Sequence, residues 1–173
     1  MKNYLGVGIS VGVLAGLWTQ VSVQLGLVTW VAFIAWACFF AAGGGATGFR
    51  KGLAANLSGV VWGWLASLVA ARVGFPGALA IIVTVLAFVL CVQAAAPLLS
   101  FIPGAFAGTA VFFGTSFAFW PTVLALVVGA CLGWASGILG ERIQKAVDRS
   151  PGTSPSEPAE PAEPAGPVTP AAA

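Results

Sequence analysis

Six almost wholly apolar runs follow one another along this chain, at about 4–23, 27–42, 53–71, 78–96, 102–117 and 122–139. Crossing a bilayer core takes about 20 residues of helix at ~1.5 Å rise each, so the pattern predicts six membrane helices. Residues 43–51 break the pattern with four glycines, Arg50 and Lys51, and residues 72–77 break it with Arg72, Pro76 and two more glycines. The second and fifth runs are the shortest. Each is bounded by helix breakers, Gly43, Gly44 and Gly45 after the second and Pro103 and Gly104 at the start of the fifth.

The runs are also written twice. Gln20 recurs as Gln93, Phe33 as Phe106 and Phe39-Phe40 as Phe112-Phe113, all at one offset. After a small deletion, Gly59 and Gly63-Trp64 return as Gly129 and Gly133-Trp134. Three crossings per copy would turn the second copy upside down, a plan that places a site at the bilayer midplane between two halves. The expected fold is therefore all-α, a transmembrane domain over 1–140 built as two inverted three-helix repeats, about 4–72 and 77–140. A juxtamembrane segment is expected at 141–149 and a disordered Pro/Ala/Glu-rich tail at 150–173.

Composition agrees with a membrane protein. Of 173 residues, 59% are hydrophobic and 7% charged, against about a quarter charged in soluble domains. Mean hydropathy is +0.99. The first run is longer than a signal-peptide core and belongs to the repeat, so it reads as an uncleaved helix. With a cytoplasmic N-terminus, Lys2, Arg50, Lys51, Arg142, Lys145 and Arg149 fall inside and Arg72 alone outside. That bias predicts two cytoplasmic termini. The few scattered basic residues do not suggest nucleic acid. The tail is too polar to offset its ordering entropy.

Candidate chemistry is sparse. Histidine is absent, and Cys38, Cys91 and Cys131 each lie inside an apolar run, so neither a metal site nor a cofactor is expected. No charged residue lies within a span, which argues against proton-coupled transport. No base or carboxylate pair is placed for hydrolysis, so no catalytic residue and no enzyme is expected. Neutral polar groups remain. Gln20 and Gln93 are repeat-matched, and Asn56 and Ser58 open the third run. A carboxamide donates and accepts at once, which suits a small neutral polar solute or water. Gly8, Gly12 and Gly16, Gly59 and Gly63, and Gly129, Gly133 and Gly137 form small-residue stripes for helix packing and oligomer contacts. Trp64 and Trp134 are expected to pack against the opposite half.

The blocks Gly12-Val13-Leu14-Ala15-Gly16-Leu17-Trp18, Leu57-Ser58-Gly59-Val60-Val61-Trp62 and Leu99-Ser100-Phe101-Ile102-Pro103-Gly104 resemble a bacterial inner-membrane family of unknown function, of the DUF1097 type, which includes YcdZ. The resemblance spans roughly 5–140. It implies a polytopic protein of the bacterial inner (plasma) membrane and brings no activity or site residues with it. The residues themselves lead to a channel or facilitator, in contact with membrane lipids and forming a homo-oligomer. A non-transporting component that binds a partner protein or lipids is the alternative.

Overall fold

A computed structural model describes residues 4–149. It is all-α, with helices α1 (Leu5–Gln24), α2 (Thr29–Ala41), α3 (Gly45–Ala70), α4 (Ala78–Val92), α5 (Ile102–Gly114) and α6 (Phe119–Asp148). Single 3-10 turns at Gln93–Ala95 and Pro97–Leu99 join α4 to α5. Among the described residues, four stretches are long and apolar enough to cross a membrane: Leu5–Gln24, Gly45–Ala70, Ala78–Ala95 and Phe119–Asp148. The 13-residue helices α2 and α5 are shorter. At about 20 Å each, neither matches a hydrocarbon core of ~30 Å.

Several boundaries differ from the hydropathy pattern. The break at 43–51 shrinks to 42–44, because Gly45 already starts α3 and Arg50 and Lys51 lie in its first two turns. Pro103 and Gly104 stand inside the first turn of α5 and not at a break. Proline suits that place, where its missing N–H has no intrahelical partner to lose. The segment 141–149 is the end of α6, which continues to Asp148. The tail 150–173 and Lys2 lie outside the described residues.

Packing sorts the helices into two groups. One holds α6 with α2 and α1 against it; the other holds α3 with α5 and α4 against it. Each short helix thus packs most closely on a long helix from the other half of the chain, α2 on α6 and α5 on α3. Two glycines make this possible. A Cβ on Gly59 would strike the Ala105 carbonyl of α5, and one on Gly129 would strike the Ala32 carbonyl of α2. A turn further on, Gly63 leaves room for Phe112, 3.2 Å from where its Cβ would be, and Gly133 for Phe39, at 2.7 Å. In lipid, such backbone approach replaces the hydrophobic drive that would hold helices together in water.

The groups meet along a seam. Val31, Ala35, Ala125 and Leu126 come from one side, and Val60, Val111 and Phe112 from the other, all buried in one cluster. Aromatic pairs flank it. Trp134 of α6 packs on Phe49 of α3 with centroids 4.7 Å apart, and Trp64 of α3 on Phe119 of α6 at 5.9 Å.

Among the described residues two connections cross the seam, and both contain left-handed backbone. After α2, Gly43 and Gly44 have φ of 105° and 65°; after α5, Ser116 and Phe117 have φ of 55° and 65°. The hydrogen bonds match as well. Gly43 N–H donates to Phe40 O and Gly44 N–H to Phe39 O, while Ser116 N–H donates to Phe113 O and Phe117 N–H to Phe112 O. This paired 5→2 and 6→1 ending normally calls for glycine. Ser116 and Phe117 adopt it without glycine, at a strain of about 1–3 kcal/mol each.

Candidate functional site

Asn56 is the polar group the fold treats most unusually. It lies near the middle of α3 and is fully buried. Glycine brings α5 against it, since a Cβ on Gly108 would strike the Asn56 carbonyl. Its side chain faces the buried Cys38 thiol of α2, across the seam. No hydrogen bond of acceptable geometry satisfies either Oδ1 or Nδ2. Leaving such a group unpaired costs about 1–3 kcal/mol, so its retention calls for an explanation.

The other expected pathway residues do not join it. Ser58 is half-buried, and its hydroxyl donates back to Ala55 O at 2.8 Å, a bond within its own helix. Gln93 ends α4, where its Oε1 accepts from Trp62 Nε1 at 3.1 Å. Its Nε2 is enclosed without a partner. Gln20 is exposed on α1, in the other group. The four residues therefore do not line one common channel here.

A second buried polar cluster is fully paired. Trp36 Nε1–H donates to Ser136 Oγ at 2.9 Å, and Ser136 Oγ donates to Gly133 O at 2.8 Å. Ser10 Oγ lies 2.9 Å from both Ser136 O and Val7 O. This cluster ties α1, α2 and α6 together and offers no free group to a ligand. Ser10 and Trp36 carried no signal in hydropathy, because serine and tryptophan inside apolar helices usually bond backbone or interface.

Three cavities lie at the periphery. One of ≈ 480 Å³ is bounded by Trp18, Val28, Trp120 and Leu124, near the ends of α1 and α6. Clefts of ≈ 320 Å³ and ≈ 360 Å³ run between α3 and α4 and share Ala66, Ile82 and Leu86. None of these three reaches Gln20, Gln93, Asn56 or Ser58. A smaller cleft of ≈ 300 Å³ lies between Arg50 and Lys51 of α3 and Pro97-Leu98. The glycine stripes divide sharply. Gly59 and Gly129 are closed by backbone and Gly63 and Gly133 by phenylalanine rings, and Gly137 meets the Phe39 ring at 3.7 Å. A Cβ on Gly8, Gly12 or Gly16 would meet nothing within 4 Å.

Residues 8–141 match a family described as "Protein of unknown function (DUF1097)". The chain belongs to the DUF1097 family. It is 36% identical over 164 residues to the uncharacterised protein YahC of Escherichia coli K12, covering 88% of this chain and 99% of YahC. It is likewise 36% identical over 138 residues to the inner membrane protein YcdZ of the same organism, covering 78% of this chain and 84% of YcdZ. YcdZ of Salmonella typhimurium LT2 is 33% identical over 138 residues, covering 78% and 86%. No solved structure matches. With four apolar helices of spanning length and inner-membrane relatives, this DUF1097 member is an integral inner membrane protein.

Proposed function

We propose that this protein is a facilitator for a small, neutral, polar solute, built from two inverted three-helix halves with both termini in the cytoplasm. The observation that carries the reading is the exchange of the short helices. α5 packs into α3 through Gly59 and Gly63 just as α2 packs into α6 through Gly129 and Gly133. The ring pairs Phe49–Trp134 and Phe119–Trp64 and the matched endings of α2 and α5 support the same pseudo-twofold relation. Short helices at corresponding positions of two such halves mark solute sites in transporters, because their ends lie at membrane depth.

Charge placement supports the orientation. Arg50 and Lys51 begin α3 and Arg142 and Lys145 end α6, while Arg72 follows the far end of α3. The charged residues of the spanning helices keep to their ends, Arg50 and Lys51 in α3 and Glu141 to Asp148 in α6, which favours a neutral solute over an ion. The open Gly8, Gly12 and Gly16 face on α1 supports association with a second copy. No enzymatic role, metal or cofactor enters this reading.

Stopped-flow swelling of liposomes holding the purified protein tests it, with water, glycerol, urea and acetamide offered in parallel against empty vesicles. Selective acceleration for one solute is the expected result. No acceleration by folded protein for any of them would remove the facilitator reading. It would leave a non-transporting component that binds a partner protein or lipids.

A further inference from the structure

We infer that the Asn56 carboxamide is the solute-binding group of this protein, and that the solute it takes is a small neutral amide. The inference rests on the facilitator reading and narrows its four pathway residues to one. Asn56 is fully enclosed, and neither amide atom makes a hydrogen bond of good geometry, the Cys38 thiol beside it being at most a weak partner. A free donor and a free acceptor on one planar edge are matched by another amide edge, which returns an acceptor and a donor in a paired ring of bonds. A hydroxyl also donates and accepts, but from a single oxygen, so it does not offer the two in-plane partners at the spacing of an amide edge, and an ion finds no counter-charge at this depth.

Sequence position strengthens the case. Counted back from Gly129 as Asn56 is from Gly59, the corresponding residue of α6 is Leu126, also fully buried. An apolar side chain therefore serves at the matched place, and packing alone does not demand an amide there. Asn56 breaks the relation between the halves at one buried point.

Location supplies the route. Asn56 belongs to the α3, α4 and α5 group and faces Cys38 of the α1, α2 and α6 group. Parting of the two groups along the seam exposes its carboxamide while each group keeps its internal packing. The two segments that cross the seam, 42–44 and 115–118, hold the left-handed residues Gly43, Gly44, Ser116 and Phe117. The enclosed arrangement described above is then the closed state, with the amide waiting unpaired.

The test compares wild type with Asn56→Leu, which copies Leu126. It uses full-length protein in detergent with and without acetamide, and in liposomes with acetamide and glycerol gradients. A binding role predicts that Asn56→Leu melts at a higher temperature than wild type, since an unpaired buried amide is removed. It also predicts that acetamide raises the melting temperature of wild type but not of the variant. Acetamide flux should fall by about ten-fold or more, the worth of one lost hydrogen-bonding group. A variant that keeps its acetamide response overturns the inference, whereas a lower melting temperature alone reports the larger side chain in a packed site. Equal flux through both proteins overturns the site while keeping the facilitator. An acetamide shift seen only in wild type, with no flux from either, keeps the site and removes the facilitator. Should Asn56→Leu not fold, Asn56→Ala gives the same readouts.

Discussion

Two outer helices, α1 on α6 and α4 on α3, are attached very differently. α1 lies on α6 with Gly6, Ser10, Trp18 and Ser22 buried, three small residues and one tryptophan spaced by whole turns. Backbone meets backbone where Gly6 faces Gly140, and Gly6 N–H donates to Gln144 Oε1 at 3.1 Å. Ser10 reaches Ser136 across the same contact. α4 lies on α3 with Ala78, Leu86 and Leu90 buried, all apolar, and with two open clefts beside it. The bond from Trp62 to Gln93 is its polar tie, at the end of the helix. In lipid, apolar side chains gain little by leaving one hydrocarbon surface for another, so close backbone packing and hydrogen bonds decide which helix is held. By that rule α1 is fixed and α4 is the helix freer to move.

The largest test of this contrast is steric. Gly6→Val should lower stability by about 3 kcal/mol, because the added carbons meet the α6 backbone, and thermal unfolding in detergent would reveal it. On the same helix, Gly12→Val should change monomer stability by less than about 0.5 kcal/mol, since its surroundings are open. If Gly12→Val dissociates an oligomer on size-exclusion chromatography with light scattering, the open stripe is a contact between copies. Unaltered size would remove that role.

Next comes the polar lock. Ser136→Ala leaves the buried Trp36 N–H without its acceptor and should cost about 1–3 kcal/mol. Hydrogen exchange along α1 should rise with it. On the looser side, Trp62→Phe removes the tie to Gln93 at a cost of about 1 kcal/mol, with exchange rising at the end of α4 and not in α1. Equal responses in the two helices would contradict the contrast. The smallest expected effect is a gain. Ala66 lines both clefts between α3 and α4, so Ala66→Leu should fill space and stabilise by about 0.5–1 kcal/mol. If α4 must move for transport, flux should fall in that variant although it melts higher.

Much of the architecture could be read from residues alone. The six runs became six helices, and the two shortest runs became the two 13-residue helices. Trp64 and Trp134 pack across the seam, as their place after a glycine stripe suggested. The left-handed ending at Ser116 and Phe117 was harder to see, because neither is glycine. Its one signal is that these residues follow Phe112-Phe113 as Gly43 and Gly44 follow Phe39-Phe40. Among the candidate pathway residues, repeat matching favoured Gln20 and Gln93, yet Asn56 is the one that the fold encloses.

Hydropathy, charge placement and the positions of glycine and proline determined the membrane class, the number of helices and which of them are short. Those properties depend on how each residue transfers between water and lipid, and on local backbone preference, both of which a linear chain carries. Tertiary structure alone decided that Gly59 and Gly129 are closed while Gly8, Gly12 and Gly16 are open, that each short helix joins the opposite long one, and that Asn56 is sealed at the seam. Lipid tails are as apolar as a protein interior, so a membrane helix need not show a polar outer face. Hydropathy therefore marks where a helix lies and is silent on which way it turns.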